Sequence, residues 1–408
     1  MIKSERLLKS IGRSTVPNGW KWKRIDECFD IIKRRNDNNC ENVLTISSIS
    51  GFVNQKERFS KVIAGENLKK YTLLRKGEFS YNKGNSKTFP CGCIFLLEDY
   101  EEAAIPNVYI SFKNKDEISN KFYRYYFQNK LLDGQLKRLI NTGVRNDGLL
   151  NINTDEFCGV YILVPPIKEQ EKIAEILSTW DLAIEKQERL IEKKKELKKG
   201  LMQRLLSEEI RFNEYCDVWR EYKLKDIGDI ITGGTPDTSI DKYYGDEYIW
   251  VTPSDITDRK YIDKSARMLS KEGLSKIRKI KKDSLLITCI ASIGKNAVLR
   301  QDGGCNQQIN ALTTYNGFDV EFLYYLICYK ENYIKMFAGK SATQIINKDT
   351  LGSLKFKIPS YNEQRKIAEI LALTDKEIEL LQKELEALKL QKKGLMQRLL
   401  TGEVRVKV

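Results

Sequence analysis

Residues 169–206 and 363–400 are near copies of each other, and no other feature constrains the fold as much. The first reads EQEKIAEILSTWDLAIEKQERLIEKKKELKKGLMQRLL, the second EQRKIAEILALTDKEIELLQKELEALKLQKKGLMQRLL. They align without a gap at an offset of 194, and the blocks KIAEIL and KKGLMQRLL are identical. A weaker echo sets Trp20 to Ile25 (WKWKRI) against Trp219 to Leu224 (WREYKL), at an offset of 199. A fixed internal period marks a repeated architectural unit. The chain divides accordingly into a first body (1–165), a first helical region (166–211), a second body (212–358) and a second helical region (359–408). The helices nearly match while the bodies barely resemble each other, so the helices share a structural role and the bodies have separate ones.

Each helical segment follows a proline, Pro166 or Pro359, a residue tolerated at or just before a helix start. In the second copy Ile367, Leu371, Thr374, Ile378, Leu381, Leu385, Leu388, Leu395 and Leu399 keep 4-3 spacing, interrupted at Lys392. That is a heptad seam. The first copy holds Ile173, Leu177, Trp180, Ile184, Ile191, Leu201 and Leu205 in the same register, broken at Gln187, Lys194 and Lys198. A helix of this length is about 58 Å long and cannot bury its stripe alone. The expected partner is the other copy, in an antiparallel two-helix coiled coil with one body at each end. Gly200 and Gly394 fall inside the pattern, at about 1 kcal/mol against alanine. They point to close helix approach, to a break, or to a simple helix end.

The bodies read as α+β. Strand-like runs are Gly92 to Leu97, Val160 to Val164, Ser284 to Ile290 and Leu354 to Ile358; helical stretches are Lys121 to Leu132 and Val320 to Tyr329. The 408 residues contain no histidine, which removes Ser-His-Asp triads, Cys-His dyads and histidine-ligated metal sites. The nine cysteines are odd in number and irregularly spaced, without a CxxC pair, so they read as reduced and packed rather than as a disulfide framework or zinc site. The first residues lack the apolar stretch of a secretory signal, and no run approaches a membrane span. The expectation is a soluble, cytoplasmic chain.

The net charge is +14, distributed as +8 over residues 1–167, +1 over 168–211, +3 over 212–361 and +1 over 362–406, with Lys407 adding one. The helices are balanced, as solvated coiled-coil faces are. The bodies carry the excess, so they are where double-stranded DNA would touch. Polar loops supply the candidate contacts. In the first body these are Arg34, Arg35, Asn36 and Asn38, then Tyr81, Asn82, Lys83, Asn85 and Lys87, then Arg145 and Asn146. In the second they are Thr232, Gly233 and Thr235, then Ser254, Asp255 and Lys295, then Asn306, Gln307 and Gln308, then Lys340, Ser341, Thr343 and Gln344. Arg and Lys suit guanine, Asn and Gln suit adenine, and hydroxyl or backbone groups suit phosphate. Each loop is also what an ordinary polar surface turn looks like.

The order body–helix–body–helix, the VPP…EQEKIAEIL and IPSYNEQRKIAEIL openings, the repeated KKGLMQRLL endings and the W…YKLKDIGDIITGGTP start of the second body together resemble the DNA specificity subunit of type I restriction–modification systems. The resemblance covers essentially the whole chain and implies a mechanism. Each body would be a target-recognition domain reading half of a bipartite, asymmetric site, with the helices setting the spacer. The helices would also dock two modification subunits that bind S-adenosylmethionine and methylate adenine N6, and motor–nuclease subunits using ATP and Mg would join them.

On that reading the chain has no catalytic residue, cofactor or metal of its own. The one Pro-Pro, in Val164-Pro165-Pro166-Ile167, lacks the flanking residues of an adenine methyltransferase motif, and no GxxxxGK[ST] loop occurs. Two alternatives stand beside it. One is a DNA-binding coiled-coil structural protein without sequence preference. The other is a metal-dependent nuclease, from Pro236-Asp237 and Asp258-Arg259-Lys260, which imitate a PD…DxK site.

Overall fold

The structure, a computed structural model, describes residues 15–37, 40–58, 65–84, 86–140, 150–339 and 344–408. The chain forms two compact units, one of residues 1–187 with 384–408 and one of residues 188–383. Each unit holds one body, part of the first long helix (Ile167–Leu206) and part of the second (Tyr361–Leu400). Both helices are 40 residues, and they begin beside the expected prolines.

The first unit contains β1 (Lys21–Arg24), β2 (Phe29–Ile31), β3 (Leu44–Ser47), β4 (Gly51–Asn54), β5 (Thr72–Arg75), β6 (Phe79–Asn82), β7 (Cys93–Leu96), β8 (Glu102–Ile105), β9 (Ile110–Asn114) and β10 (Tyr161–Val164). Its main sheet has the order β2-β9-β6-β7, all antiparallel, beside the ladders β1-β10, β3-β4 and β5-β8. The body helix Asn120–Gln128 is capped by Ser119 and drives Phe122, Tyr123, Tyr126 and Phe127 into the core. There Phe29, Phe79, Phe112 and Phe127 meet edge-on, stacked or, for Phe29 with Phe127, tilted, with centroids 5.2–5.9 Å apart. Aromatic pairs prefer these geometries and bury large areas.

The second unit contains β11 (Arg220–Lys223), β12 (Gly228–Thr232), β13 (Tyr244–Gly245), β14 (Tyr248–Val251), β15 (Tyr261–Ile262), β16 (Met268–Leu269), β17 (Leu285–Thr288), β18 (Asn296–Leu299), β19 (Gly303–Cys305), β20 (Ile309–Thr314) and β21 (Lys355–Ile358). Its sheets run β12-β20-β17-β18-β15 and β13-β16-β14-β19, with β11 paired to β21. The order β12-β20-β17-β18 repeats β2-β9-β6-β7, and β11-β21 repeats β1-β10. The WKWKRI and WREYKL echo falls on β1 and β11, the strands that close those ladders.

Each body is tied to the start of a long helix by one buried glutamine. In the first unit Gln170 Nε2 donates to the Pro165 and Glu117 carbonyls at 2.8 and 3.1 Å, and its Oε1 accepts from the Ser119 N–H at 2.8 Å. In the second, Gln364 Nε2 donates to the Pro359 and Gly317 carbonyls at 3.0 and 3.1 Å, and its Oε1 accepts from the Asp319 N–H at 2.8 Å. An ion pair sits one residue earlier, Arg405 with Glu169 in the first unit and Arg211 with Glu363 in the second.

The heptad residues do two jobs. Ile173 and Leu177 join the first body's core with Leu399 and Leu400, and Ile367 and Leu371 join the second body's core with Leu205 and Leu206. At these ends the stripe is shared with the body. Farther along, Ile191, Ile378 and Leu385 are buried, while Trp180, Ile184, Leu381 and Leu388 are half-buried. Within the first unit Gln187 bonds Glu384 and Asp181 pairs with Lys392. Within the second, Lys194 pairs with Glu377 and Lys198 with Asp375. In each unit the partner's number falls as the first rises, so the two helix segments run antiparallel.

Gly200 and Gly394 do not have the role expected of them. The helices pass through both without a break, and a Cβ at either would meet nothing within 4 Å. Neither close approach nor helix termination accounts for them.

Candidate nucleic-acid interface

Antiparallel pairing decides which loops of the second body meet. β12 and β17 both pair antiparallel with β20, so their C-terminal ends and the start of β20 share one edge. Backbone bonds then gather the loops. The Gly233 and Gly234 N–H groups donate to the Ile309 and Cys305 carbonyls, that of Asn306 to Val251, and that of Cys289 to Gln308. Ile346 N–H donates to Cys289, and Ile290 bridges Ile345. Thr232–Thr235, Cys289–Lys295, Asn306–Gln308 and Gln344–Ile346 thus form one rim.

The rim is stiff. A Cβ on Gly233 would lie 2.2 Å from the Asn306 carbonyl oxygen and 2.3 Å from that of Cys305, so two backbones touch there. The loop after β17 folds on itself through Thr288 Oγ1, which donates to the Ser292 and Lys295 carbonyls, and it holds Ala291 at φ 61°. A non-glycine residue in that region costs on the order of 1–2 kcal/mol and needs its surroundings to hold it. Thr235, Lys295, Gln307 and Gln344 present exposed side chains, with Thr235 Oγ1 donating to Gln307 Oε1 at 2.5 Å. Other expected contacts bond within the rim. Thr232 Oγ1 donates to Asn310 Oδ1 at 2.7 Å, and Asn306 Nδ2 donates to Gln308 Oε1 at 3.3 Å. Asp255 accepts from the N–H groups of Thr252 and Ala266, so it organises the turn in which Ser254 is exposed.

Arg278 joins the rim without being among the residues expected from the sequence. Its side chain is exposed and donates to the Thr232 carbonyl at 3.0 Å, bringing a cation to the rim. The basic run Lys276 to Lys282 was the available signal. Asp237 and Lys260, offered as parts of a nuclease motif, have local work. Asp237 Oδ1 caps Ser239, and Lys260 pairs with Glu321 and donates to the Tyr325 hydroxyl. Among the described residues, no three of Cys, Asp and Glu gather into a metal-holding set.

In the first body the same topology brings together the ends of β2 and β6 and the start of β9. Several expected contacts are corrected here. Tyr81 is fully buried, stacks on Phe157 at 4.9 Å and donates its hydroxyl to the Cys91 carbonyl at 2.7 Å, and burial raises its pKa. Asn36 is also fully buried, where it accepts from the Cys40 N–H and donates to the Cys40 and Leu68 carbonyls. Neither can reach a base. Arg34 lies on Glu78, Asn82 holds the Ile46 carbonyl and the Gly84 N–H, and Lys83 donates to the Ile152 carbonyl. Arg35 and Lys87 remain exposed. Asn38, Asn85, Arg145, Asn146, Lys340, Ser341 and Thr343 lie outside the described residues.

The topology adds a residue that sequence reading passed over. Asn107 is exposed in the turn between β8 and β9, the position that Gln307 holds between β19 and β20. The turns lack sequence similarity, so only the equivalence of the flanking strands reveals the match.

Comparison with known proteins follows this two-fold division. A family model described as the type I restriction modification DNA specificity domain matches twice, over residues 17–193 and 217–390. The type I restriction enzyme MjaIX specificity subunit of Methanocaldococcus jannaschii is 32% identical over 176 residues, which are 42% of this chain and 41% of that protein. The MjaVIII specificity subunit of the same organism is 27% identical over 342 residues, covering 78% of this chain and 77% of the relative. The type I restriction–modification system S subunit from M. genitalium has the same fold, with a TM-score of 0.55 at 18% identity over 95% of this chain and 98% of that one. Among the described residues no helix is long and apolar enough to cross a membrane.

Proposed function

The chain belongs to the type I restriction–modification DNA specificity family, and from that premise we propose that its two bodies each read one half of a bipartite, asymmetric duplex site. One observation carries the reading. The units repeat a strand order while presenting different rim chemistry, Arg35, Lys87 and Asn107 in one and Thr235, Lys295 and Gln307 in the other. A shared scaffold with unlike loops suits two half-sites of unlike sequence.

The long helices, in this reading, form an antiparallel coiled coil within an internal pseudo-two-fold repeat and set the unread spacer. Their ion pairs and alternating apolar residues support it. The same helices dock two modification subunits, and restriction subunits join these. S-adenosylmethionine, ATP and Mg belong to those partners, and the chain itself is non-catalytic. Its work is cytoplasmic, where those partners meet DNA.

The test is base-resolution mapping of N6-methyladenine in cells expressing the chain with a modification partner. A gapped, asymmetric motif that vanishes on deletion of this gene is expected. A contiguous motif, or methylation that survives deletion, overturns the reading. Exchange of residues 212–358 for those of a relative is expected to change one half-site and leave the other. Polar substitution of Leu381 and Leu385 is expected to weaken assembly, and unchanged assembly and stability would remove the coiled coil.

A further inference from the structure

The heptad pattern of both long helices fails at a corresponding lysine, Lys198 in the first and Lys392 in the second. The failure has a structural counterpart. In the first unit the Lys392 ammonium pairs with Asp181 Oδ1 and stands 5.2 Å from the Tyr125 ring centroid. Asp181 Oδ2 accepts from the Tyr125 hydroxyl at 2.5 Å. In the second unit Lys198 pairs with Asp375 Oδ1, 5.7 Å from the Tyr325 ring, and Asp375 Oδ2 accepts from the Tyr325 hydroxyl at 2.6 Å. Tyr125 and Tyr325 occupy the same turn of the body helices Asn120–Gln128 and Val320–Tyr329.

Each triad takes its tyrosine from a body, its aspartate from one long helix and its lysine from the other. Both phenols also accept from a cation, supplied by Arg124 in the first unit at 2.5 Å and by Lys260 in the second at 3.1 Å. Arg124 Nη2 also donates to Asp181 Oδ2 at 3.1 Å, whereas Lys260 pairs with Glu321, so unrelated residues with different second partners hold each phenol from its other side.

Stability alone is a poor reason for this arrangement. Lys392 and Asp181 are 18% and 40% exposed and Lys198 and Asp375 25% and 32%, and an ion pair still open to water at its carboxylate contributes little. An apolar residue at 198 or 392 would continue the seam whatever the body did. A carboxylate shared between an ammonium and a short phenol bond is directional. A slip of one helical residue, about 1.5 Å, would break it.

We infer that the two Tyr–Asp–Lys triads are positioning joints that fix the axial and angular setting of each body on its helix segments. The inference rests on the reading of the bodies as half-site readers. If the helices set a spacer, that length reaches the rims only through rigid joints, so the triads are what make spacer length discriminating. Tyr125, Asp181 and Lys392, with Tyr325, Asp375 and Lys198, touch no base in this role.

The experiment uses the full chain with its modification partner and duplexes carrying the mapped site, the spacer native or changed by one or two base pairs. Tyr125→Phe and Tyr325→Phe, singly and together, keep the ring and delete the hydroxyl. The ratio of methylation rate on native to altered spacer is expected to fall about tenfold, the size of one charge-assisted hydrogen bond. Discrimination against single-base changes within the half-sites is expected to stay at the wild-type level. A joint variant that fails to fold is replaced by Lys392→Met or Lys198→Met, which restore an apolar heptad position. Variants that keep the wild-type spacer ratio overturn the joints while the half-site reading stands. Variants that lose base discrimination in step with spacer discrimination overturn them too, by making the triads part of the fold at large. A wild-type complex indifferent to the spacer overturns the half-site reading itself, and the joints with it.

Discussion

The Arg34 guanidinium lies bidentate on the Glu78 carboxylate, Nη1 to Oε2 at 3.1 Å and Nη2 to Oε1 at 3.0 Å, while Nη1 also donates to the Leu73 carbonyl. The Glu78 side chain is 9% exposed, so the arginine neutralises a nearly buried charge between β5 and β6. Arg35, its neighbour, faces solvent.

That contrast separates two adjacent arginines. Arg34→Ala is expected to destabilise the first unit by about 2–3 kcal/mol, because the nearly buried Glu78 loses its counter-charge and keeps only the Arg75 N–H. Its effect on the salt slope of DNA binding is expected to be nil. Arg35→Ala is expected to leave the melting temperature unchanged and to lower the slope of log K against log salt by about one. Thermal unfolding and binding titrations over a range of salt measure both. The reverse pattern would exchange their roles.

Gly233 tests the stiffness of the second rim. Gly233→Ala sets a Cβ 2.2 Å from a carbonyl oxygen and 2.6 Å from Cys305 Sγ, and a backbone has to move. A loss of about 1–3 kcal/mol is expected from such overpacking. An alanine variant with wild-type stability would show that the two loops are not held together.

Thr235 and Gln307 bond each other at the exposed edge. Gln307→Ala is expected to leave the fold intact and to cost about 1–3 kcal/mol of discrimination at one base pair of one half-site. Binding to a panel of single-base variants reads this directly. A uniform loss across the panel would make Gln307 a backbone contact instead.

Gln170 and Gln364 each join a long helix to a body through three hydrogen bonds. Substitution by alanine strands buried backbone groups, and about 2–4 kcal/mol is the expected cost. Calorimetry of Gln170→Ala and Gln364→Ala checks it, and an unchanged transition would assign the attachment to the apolar contacts alone.

The thiols give a check on packing. Cys28 and Cys289 are pushed up to about 11 and Cys305 to about 12, in each case chiefly by burial, whereas Cys216 is exposed. At pH 8 the three buried groups stay protonated, so a maleimide is expected to label Cys216 rapidly and to reach those three on unfolding. Rapid labelling of Cys289 in the folded chain would contradict the packing of β17.

The elements nominated from local pattern sit close to where they were expected. Both long helices span 40 residues, and strands occupy Cys93–Leu96, Tyr161–Val164, Leu285–Thr288 and Lys355–Ile358. Periodicity, proline starts and a duplicated stretch are properties of neighbouring residues, so the sequence displays them. The candidate contacts fared differently. Tyr81 and Asn36 have the chemistry of nucleic-acid ligands, but an aromatic in β6 packs inward, and an asparagine that closes a loop spends its amide on Cys40 and Leu68.

By itself the sequence determined that this chain is two bodies on two long helices, with the surplus positive charge on the bodies. Tertiary structure decided which polar residues remain free to act. Arg34 is committed to Glu78, 44 residues away, and Lys392 to Asp181, 211 residues away. Read along the chain, Lys392 is a fault in a heptad. In space it completes a carboxylate that a tyrosine from the body also holds. A side chain's burial and partners depend on segments distant in sequence, and no local pattern encodes them.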